Sequence, residues 1–184
     1  MSDAIFIPSI LLSIPRHPVT ALGLPLALGM LSGLPTAQVV RGPWYNNLFF
    51  PPGRPPRQVF PIVWPLLYLS MGYASHLAVK ALDTSVSSSS RSALTLGIAL
   101  YYVQLGMNFI WTPLFFGYKQ VGLALIDSIM MAGTTFYATK LLDGPTNSQT
   151  TYFLLPYCAW LCFATYLNGG IWWLNRARAS EKEE

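Results

Sequence analysis

Charge is what this chain has least of. Of its 184 residues only 10% are Asp, Glu, Lys or Arg, where a soluble domain carries about 25%. Histidine occurs only at positions 17 and 76, and cysteine only at 158 and 162. Two distant histidines build no ligand cluster, and no metal site is expected. Cys158 and Cys162 stand four residues apart inside an apolar stretch. That is neither a zinc spacing nor a disulfide framework, so they read as small apolar packing residues. A nucleophile triad, a Walker loop and a dinucleotide fingerprint are also missing. So are alternating apolar and polar runs, which excludes membrane-spanning strands. The formal charge is +4, and the bases fall mostly outside the apolar stretches. They bear on orientation and lipid headgroups, and no nucleic-acid partner is expected.

What the chain has is apolar length. Hydrophobic residues make up 53% of it, and the mean hydropathy is +0.42. The pattern predicts an all-α membrane protein, a five-transmembrane-helix bundle. The spans fall at about 19–40, 59–80, 92–115, 119–140 and 150–174, each near the ~20 residues a spanning helix needs. Together they form one membrane domain, 19–175. Residues 1–18 precede it as a surface-lying or disordered arm. Their apolar run, Ile5 to Ile14, is too short to span, and no basic stretch precedes it to mark a removed signal peptide. A charged tail, 176–184, follows. The run from Asp83 to Ser92 reads as a flexible serine-rich link, and Tyr118–Lys119 as a tight turn.

Five spans put the termini on opposite sides. Arg16, Lys80, Arg91 and Lys140 share the N-terminal side. Arg41, Arg54, Arg57, Lys119, Arg176, Arg178 and Lys182 share the other. The excess of bases puts the C-terminus and the long first loop in the cytosol.

That loop and the helix after it read WYNNLFFPPGRPPRQVFPIVWPLLYLSMG, residues 44–72. Prolines 51, 52, 55 and 56 interrupt its first half. Pro61 suits a first helical turn, and Pro65 should kink the helix beside Trp64. Phe60, Trp64 and Tyr68 recur every four residues and share one face. A lid over an aromatic pocket fits this pattern. A surface loop leading into an interfacial aromatic belt fits it too.

Polar residues inside the spans are costly in hydrocarbon without a partner. Gln104, Asn108, Trp111 and Phe115 share one helical face, as do Trp160, Ala164, Asn168, Trp172 and Asn175. Asp127 lies well inside the fourth span. It is either a functional carboxylate or a packing group bonded to a neighbour such as Asn108, Gln104 or an indole N–H. Gly29 and Gly33 form a GxxxG that permits close helix packing, within the bundle or between protomers. Aromatic side chains facing each other across a bundle bind flat apolar ligands, a macrocycle or a sterol.

The motifs WYNNL (44–48), PPRQVFPIVWPLLY (55–68), MGY (71–73), QLGMNFIWTPLFFG (104–117), GLALID (122–127) and PYCAWLCFATYLNGGIWWLN (156–175) stand in an order that resembles the translocator protein / tryptophan-rich sensory protein family (TSPO). The resemblance covers roughly Gly29 to Asn175. It implies a five-helix bundle, a pocket opening to the cytosolic side under the first loop, and homodimers. It also implies binding of protoporphyrin IX or haem as ligand rather than obligatory cofactor, of sterols in animal members, and of synthetic drug-like ligands; membrane lipids, with sterol among them, are the other expected partners. Bacterial members are linked to light-dependent porphyrin breakdown. The implied function is membrane-embedded tetrapyrrole binding, as sensor, scavenger or transporter. The alternatives are an enzyme degrading porphyrin by light or oxidation, a sterol or lipid carrier, and a structural partner with a vestigial pocket.

Carried over by position, Trp64 and Trp160 match the two pocket tryptophans, and they are the catalytic residues if the protein is an enzyme. Phe60, Tyr68, Asn108, Trp111, Asp127, Ala164 and Leu167 match pocket positions. Trp44, Pro55 and Pro56 match the lid. Gln58 stands where many members have Trp, and Leu123 where animal members do. The cholesterol pattern needs a Tyr where Gly169 stands, and the first following base is Arg176. These departures, with the long arm and serine-rich loop, point to a non-animal eukaryotic member. The expected location is the mitochondrial outer membrane, with the endoplasmic reticulum as the alternative.

Overall fold

The computed structural model describes residues 6–180, and these residues are helical with no strand. The helices are α1 (Ser9–Arg16), α2 (Pro18–Gly33), α3 (Thr36–Arg41), α4 (Pro43–Asn46), α5 (Phe60–Thr84), α6 (Ser88–Thr112), α7 (Val121–Asp143) and α8 (Gln149–Ser180). Four segments are long and apolar enough to cross a membrane: Pro18–Arg41, Arg57–Thr84, Ser88–Gly117 and Val121–Thr146. The long helices form a ring. α2 packs on α5, α5 on α8, α8 on α7, α7 on α6, and α6 closes back onto α5 and α2. The core inside it is built from Met71, Val79, Leu94, Ile98, Tyr157 and Leu161, all nearly inaccessible.

Local chemistry sets the boundaries. Pro18, Pro43 and Pro61 sit in first turns, where a missing N–H costs nothing. Pro65 lies inside α5, which continues through it. The expected first span is broken in two, because Gly33 and Pro35 interrupt the helix between α2 and α3. Pro113 opens a wide π-helical turn, Pro113–Gly117, that ends α6. Lys119 then takes a left-handed φ of 59° and reverses the chain into α7, the tight turn expected there.

One connection differs from the sequence reading. The serine run is not a flexible link. Ser87 caps α6 by accepting from the Ser90 N–H at 3.5 Å, and Ser88 to Ser90 form the first helical turn. The Arg91 guanidinium donates to the carbonyls of Leu82 and Ser85 and ties the short loop to α5. The arm, from Ser9 on, is a helix laid on the surface of the bundle, the first of the two states expected for it. The Tyr102 hydroxyl donates to Leu11 O at 2.6 Å and His76 Nδ1–H to Pro15 O at 2.7 Å, while Arg16 pairs with Asp83 at 2.9 Å. That ion pair is about half exposed, so it orients the arm more than it stabilises it.

α2 approaches α5 closely because glycine stands at both contacts. A Cβ on Gly72 would fall 2.3 Å from Ala21 O, and one on Gly29 would fall 2.1 Å from the Tyr68 ring. Gly29 therefore packs inside the bundle. Gly33, the other half of the GxxxG, has nothing within 4 Å of its Cβ position.

Candidate aromatic site and lid

α5 carries Phe60, Trp64 and Tyr68 along one face, as their spacing requires, and α8 brings Trp160 to meet them. The Trp160 ring lies 5.8 Å from Phe60 and 6.4 Å from Trp64, edge-to-face in both cases. Trp64 also leans on Tyr68 at 5.7 Å, and Phe163 extends the cluster beyond Trp160. A macrocycle stacked between two parallel rings needs about 7 Å, twice a ~3.5 Å contact. The planes of Trp64 and Trp160 stand at 89°. They do not form a sandwich, so a flat ligand lies against one indole face or parts the pair.

Behind the aromatic face runs a buried polar chain. The Tyr68 hydroxyl donates to Asn108 Oδ1. Asn108 Nδ2 donates to the Tyr157 hydroxyl at 3.0 Å, and that hydroxyl donates to Gln104 Oε1 at 2.8 Å. The sulfurs of Met71 and Met131 accept from Gln104 Nε2 at 3.8 Å and Asn108 Nδ2 at 3.6 Å. Four helices, α5, α6, α7 and α8, are joined at this point. Tyr68 and Asn108, both expected at the pocket, are thus engaged with protein partners. Tyr157 holds the chain together, and the sequence reading missed it. Its place in α8, three residues before Trp160, was the available signal.

Two buried polar atoms have no partner among the described residues: Asp127 Oδ2 and Trp160 Nε1. The packing bond expected from Asp127 to Asn108, Gln104 or an indole is not formed. Asn108 and Gln104 are already committed to Tyr68, Tyr157 and the methionines. The Trp111 indole donates to Asn168 Oδ1 at 3.0 Å. Ala164 is half-buried and Leu167 buried on α8.

Trp111 belongs to a second aromatic cluster under the lid. It stacks on Phe115 at 4.9 Å, and Phe115 meets Trp44 edge-on at 5.9 Å. Tyr45, Ala124 and Ile171 complete this plug. Asn168 braces it by donating to Val121 O at 2.9 Å.

The loop is strapped along α8. Asn175 exchanges two hydrogen bonds with the Phe49 backbone, at 2.9 and 3.0 Å. The Tyr166 hydroxyl donates to Pro52 O at 3.0 Å. Pro51 is buried against Gly170. Trp44, matched to the lid by position, packs edge-on against Phe115 in the plug. Pro55 is half-buried and Pro56 exposed. The gripping residues are Phe49 to Pro52, of which the sequence reading singles out the loop prolines Pro51 and Pro52 but not Phe49 or Phe50. Arg54 lies 3.5 Å over the Phe50 ring and Arg57 donates to Asn46 Oδ1 at 2.8 Å, holding the far side of the loop.

The fold and site define a helical membrane protein with an aromatic face inside the bundle and a strapped loop across one end. The sequence matches the TspO/MBR family over residues 21–174, and the chain belongs to that family. It is 39% identical to a translocator protein of Bos taurus over 165 residues, covering 88% of this chain and 94% of the relative. It is 42% identical to a translocator protein homolog of Schizosaccharomyces pombe over 131 residues, covering 71% and 77%. It is 32% identical to the tryptophan-rich protein TspO of Archaeoglobus fulgidus over 150 residues, covering 82% and 91%.

Proposed function

We propose that this chain is a five-span membrane protein that binds a tetrapyrrole, protoporphyrin IX or haem, and acts as sensor, scavenger or transporter. The observation that carries the reading is the Phe60–Trp64–Trp160 cluster, in which the buried Trp160 Nε1 has no partner among the described residues. An apolar aromatic wall with a few polar groups is the make-up of a small-molecule site. The orphan indole N–H favours a ligand that brings an acceptor, because an unpaired buried donor costs about 1–3 kcal/mol. The fifth span is α8. Its 32 residues rise about 48 Å at 1.5 Å per residue, more than the ~30 Å hydrocarbon core. The lid and C-terminus face the cytosol, and the membrane is the mitochondrial outer membrane. Gly33 is open to a second protomer, which supports a homodimer.

The test is a side-by-side titration of haem, protoporphyrin IX and cholesterol in one detergent, read by tryptophan quenching and by the porphyrin absorption band. Saturable binding of either tetrapyrrole, tighter than cholesterol, is expected. Saturation by cholesterol alone, or by none of the three, overturns the proposal. A new absorbing product under light would favour the enzymatic reading.

A further inference from the structure

At the end of the bundle away from the lid, α7 and α8 part to leave a groove of about 340 Å³. That is within the range of small-ligand sites, about 300–1,000 Å³. Phe136 and Leu155 flank it, and both are exposed on the outside of the bundle. Its floor is Thr139 and Cys158, whose hydroxyl and thiol lie 3.6 Å apart. Two charges stand at its mouth, Lys140 and Asp143, in the last turn of α7. From Val121 to Lys140 the helix rises about 28 Å at 1.5 Å per residue, so these charges stand at headgroup depth when Val121 is at the other face.

The two charges do not pair with each other. The Arg16–Asp83 bridge is the one ion pair among the described residues. Asp143 Oδ1 accepts from the Thr151 hydroxyl at 2.5 Å, which fixes the carboxylate and leaves it further acceptor capacity. Lys140 is exposed, and its ammonium has no protein acceptor among the described residues. A free cation and a fixed anion above an apolar slot complement a zwitterion carried on an acyl chain.

We propose that this groove binds one phospholipid whose headgroup is a phosphate with a primary amine, of the phosphatidylethanolamine class. Lys140 takes the phosphate, Asp143 takes the ammonium, and an acyl chain lies between Phe136 and Leu155. A choline headgroup keeps its charge but donates no hydrogen bond to Asp143. A glycerol headgroup offers Asp143 no positive charge, and a sterol hydroxyl offers Lys140 no negative one. The site is separate from the aromatic cluster and does not depend on what binds there.

Native mass spectrometry of the full chain, released from nanodiscs of equal phosphatidylethanolamine, phosphatidylcholine, phosphatidylglycerol and cholesterol, tests this. One ethanolamine lipid per chain is expected, retained at least fivefold over each of the others. Leu155→Trp fills the slot and should abolish retention. Leu123→Trp puts the same bulk on an exposed position at the other end of α7 and should change nothing. Asp143→Asn should bring the ethanolamine-to-glycerol ratio close to one. Equal retention of all four lipids, preference for a different one, or retention that survives Leu155→Trp overturns the proposal. The preference of the unaltered chain decides the headgroup without any variant, so a poorly folding variant does not spare it.

Discussion

Pro51 of the lid occupies the space that Gly170 of α8 leaves empty. A Cβ on Gly170 would come within 2.5 Å of Pro51 Cγ. Its neighbour Gly169 is different, because a Cβ there would meet Leu125 at an ordinary 3.5 Å. Gly170→Val should therefore lift the lid while Gly169→Ala leaves it seated. Limited trypsin digestion reads the difference. Cleavage after Arg57 should speed up several-fold in Gly170→Val, with the helical circular dichroism unchanged. Equal cleavage in the two variants would show that the strap does not depend on this contact.

The polar chain Tyr68–Asn108–Tyr157–Gln104 predicts coupled losses. Tyr157→Phe removes one donated and one accepted bond and leaves Gln104 Oε1 and an Asn108 amide hydrogen unpaired. The expected cost is about 1–3 kcal/mol, nearer the lower figure if the amides find other partners in the membrane. Tyr68→Phe should cost a similar amount. The double variant should cost less than the two single losses combined, since both act on Asn108. Thermal unfolding in detergent measures all three, and strict additivity would mean the groups act independently.

How much of this was legible beforehand divides along physical lines. Long apolar runs announce helices whatever they pack against, so the long helices, the one-face stripe of Phe60, Trp64 and Tyr68, and the turn at Lys119 could be read directly. Contacts between distant segments could not. Nothing in the sequence says that Pro51 pairs with Gly170, or that Asn175 receives the Phe49 backbone. A serine run reads as a linker by composition, yet Ser87 is a helix cap because α5 ends just before it. Asp127 was read as either functional or paired. Its orphaned oxygen depends on Asn108 and Gln104 being claimed by Tyr68, Tyr157 and the methionines, which only the folded arrangement fixes.

Topology gives a prediction that rests on charge. By sequence Arg41, Arg54, Arg57, Lys119, Arg176, Arg178 and Lys182 fall on the lid side, and Arg54, Lys119 and Arg176 sit over aromatic rings. Arg16, Lys80, Arg91 and Lys140 belong to the other end, together with Asp83 and Asp143. If that excess of seven bases over four sets the orientation, the lid end should face the cytosol. In intact organelles, a tag after Glu184 should be open to protease and one before Met1 protected. The reverse pattern would invert the orientation.

The two tryptophans separate binding from chemistry. Trp64 and Trp160 meet edge-to-face, and the buried Trp160 N–H has no partner among the described residues. Trp64→Phe and Trp160→Phe both keep an aromatic surface, but the second also removes that buried unpaired donor. If the protein only binds porphyrin, Trp64→Phe should weaken it by less than tenfold, since one aromatic contact adds on the order of 1 kcal/mol and 1.4 kcal/mol is tenfold. Trp160→Phe should weaken it more if the ligand accepts from Nε1, because a charge-assisted bond of about 1.5–3 kcal/mol is then lost as well. A ligand without an acceptor should show no such gap between the variants. If indole chemistry consumes the porphyrin, either change should abolish its light-dependent loss while binding persists. A double Phe variant that still degrades porphyrin at the unaltered rate removes these residues from any catalytic role. A double variant that binds within tenfold, in a protein with no turnover, leaves the tryptophans as a contact surface and the protein as a binder.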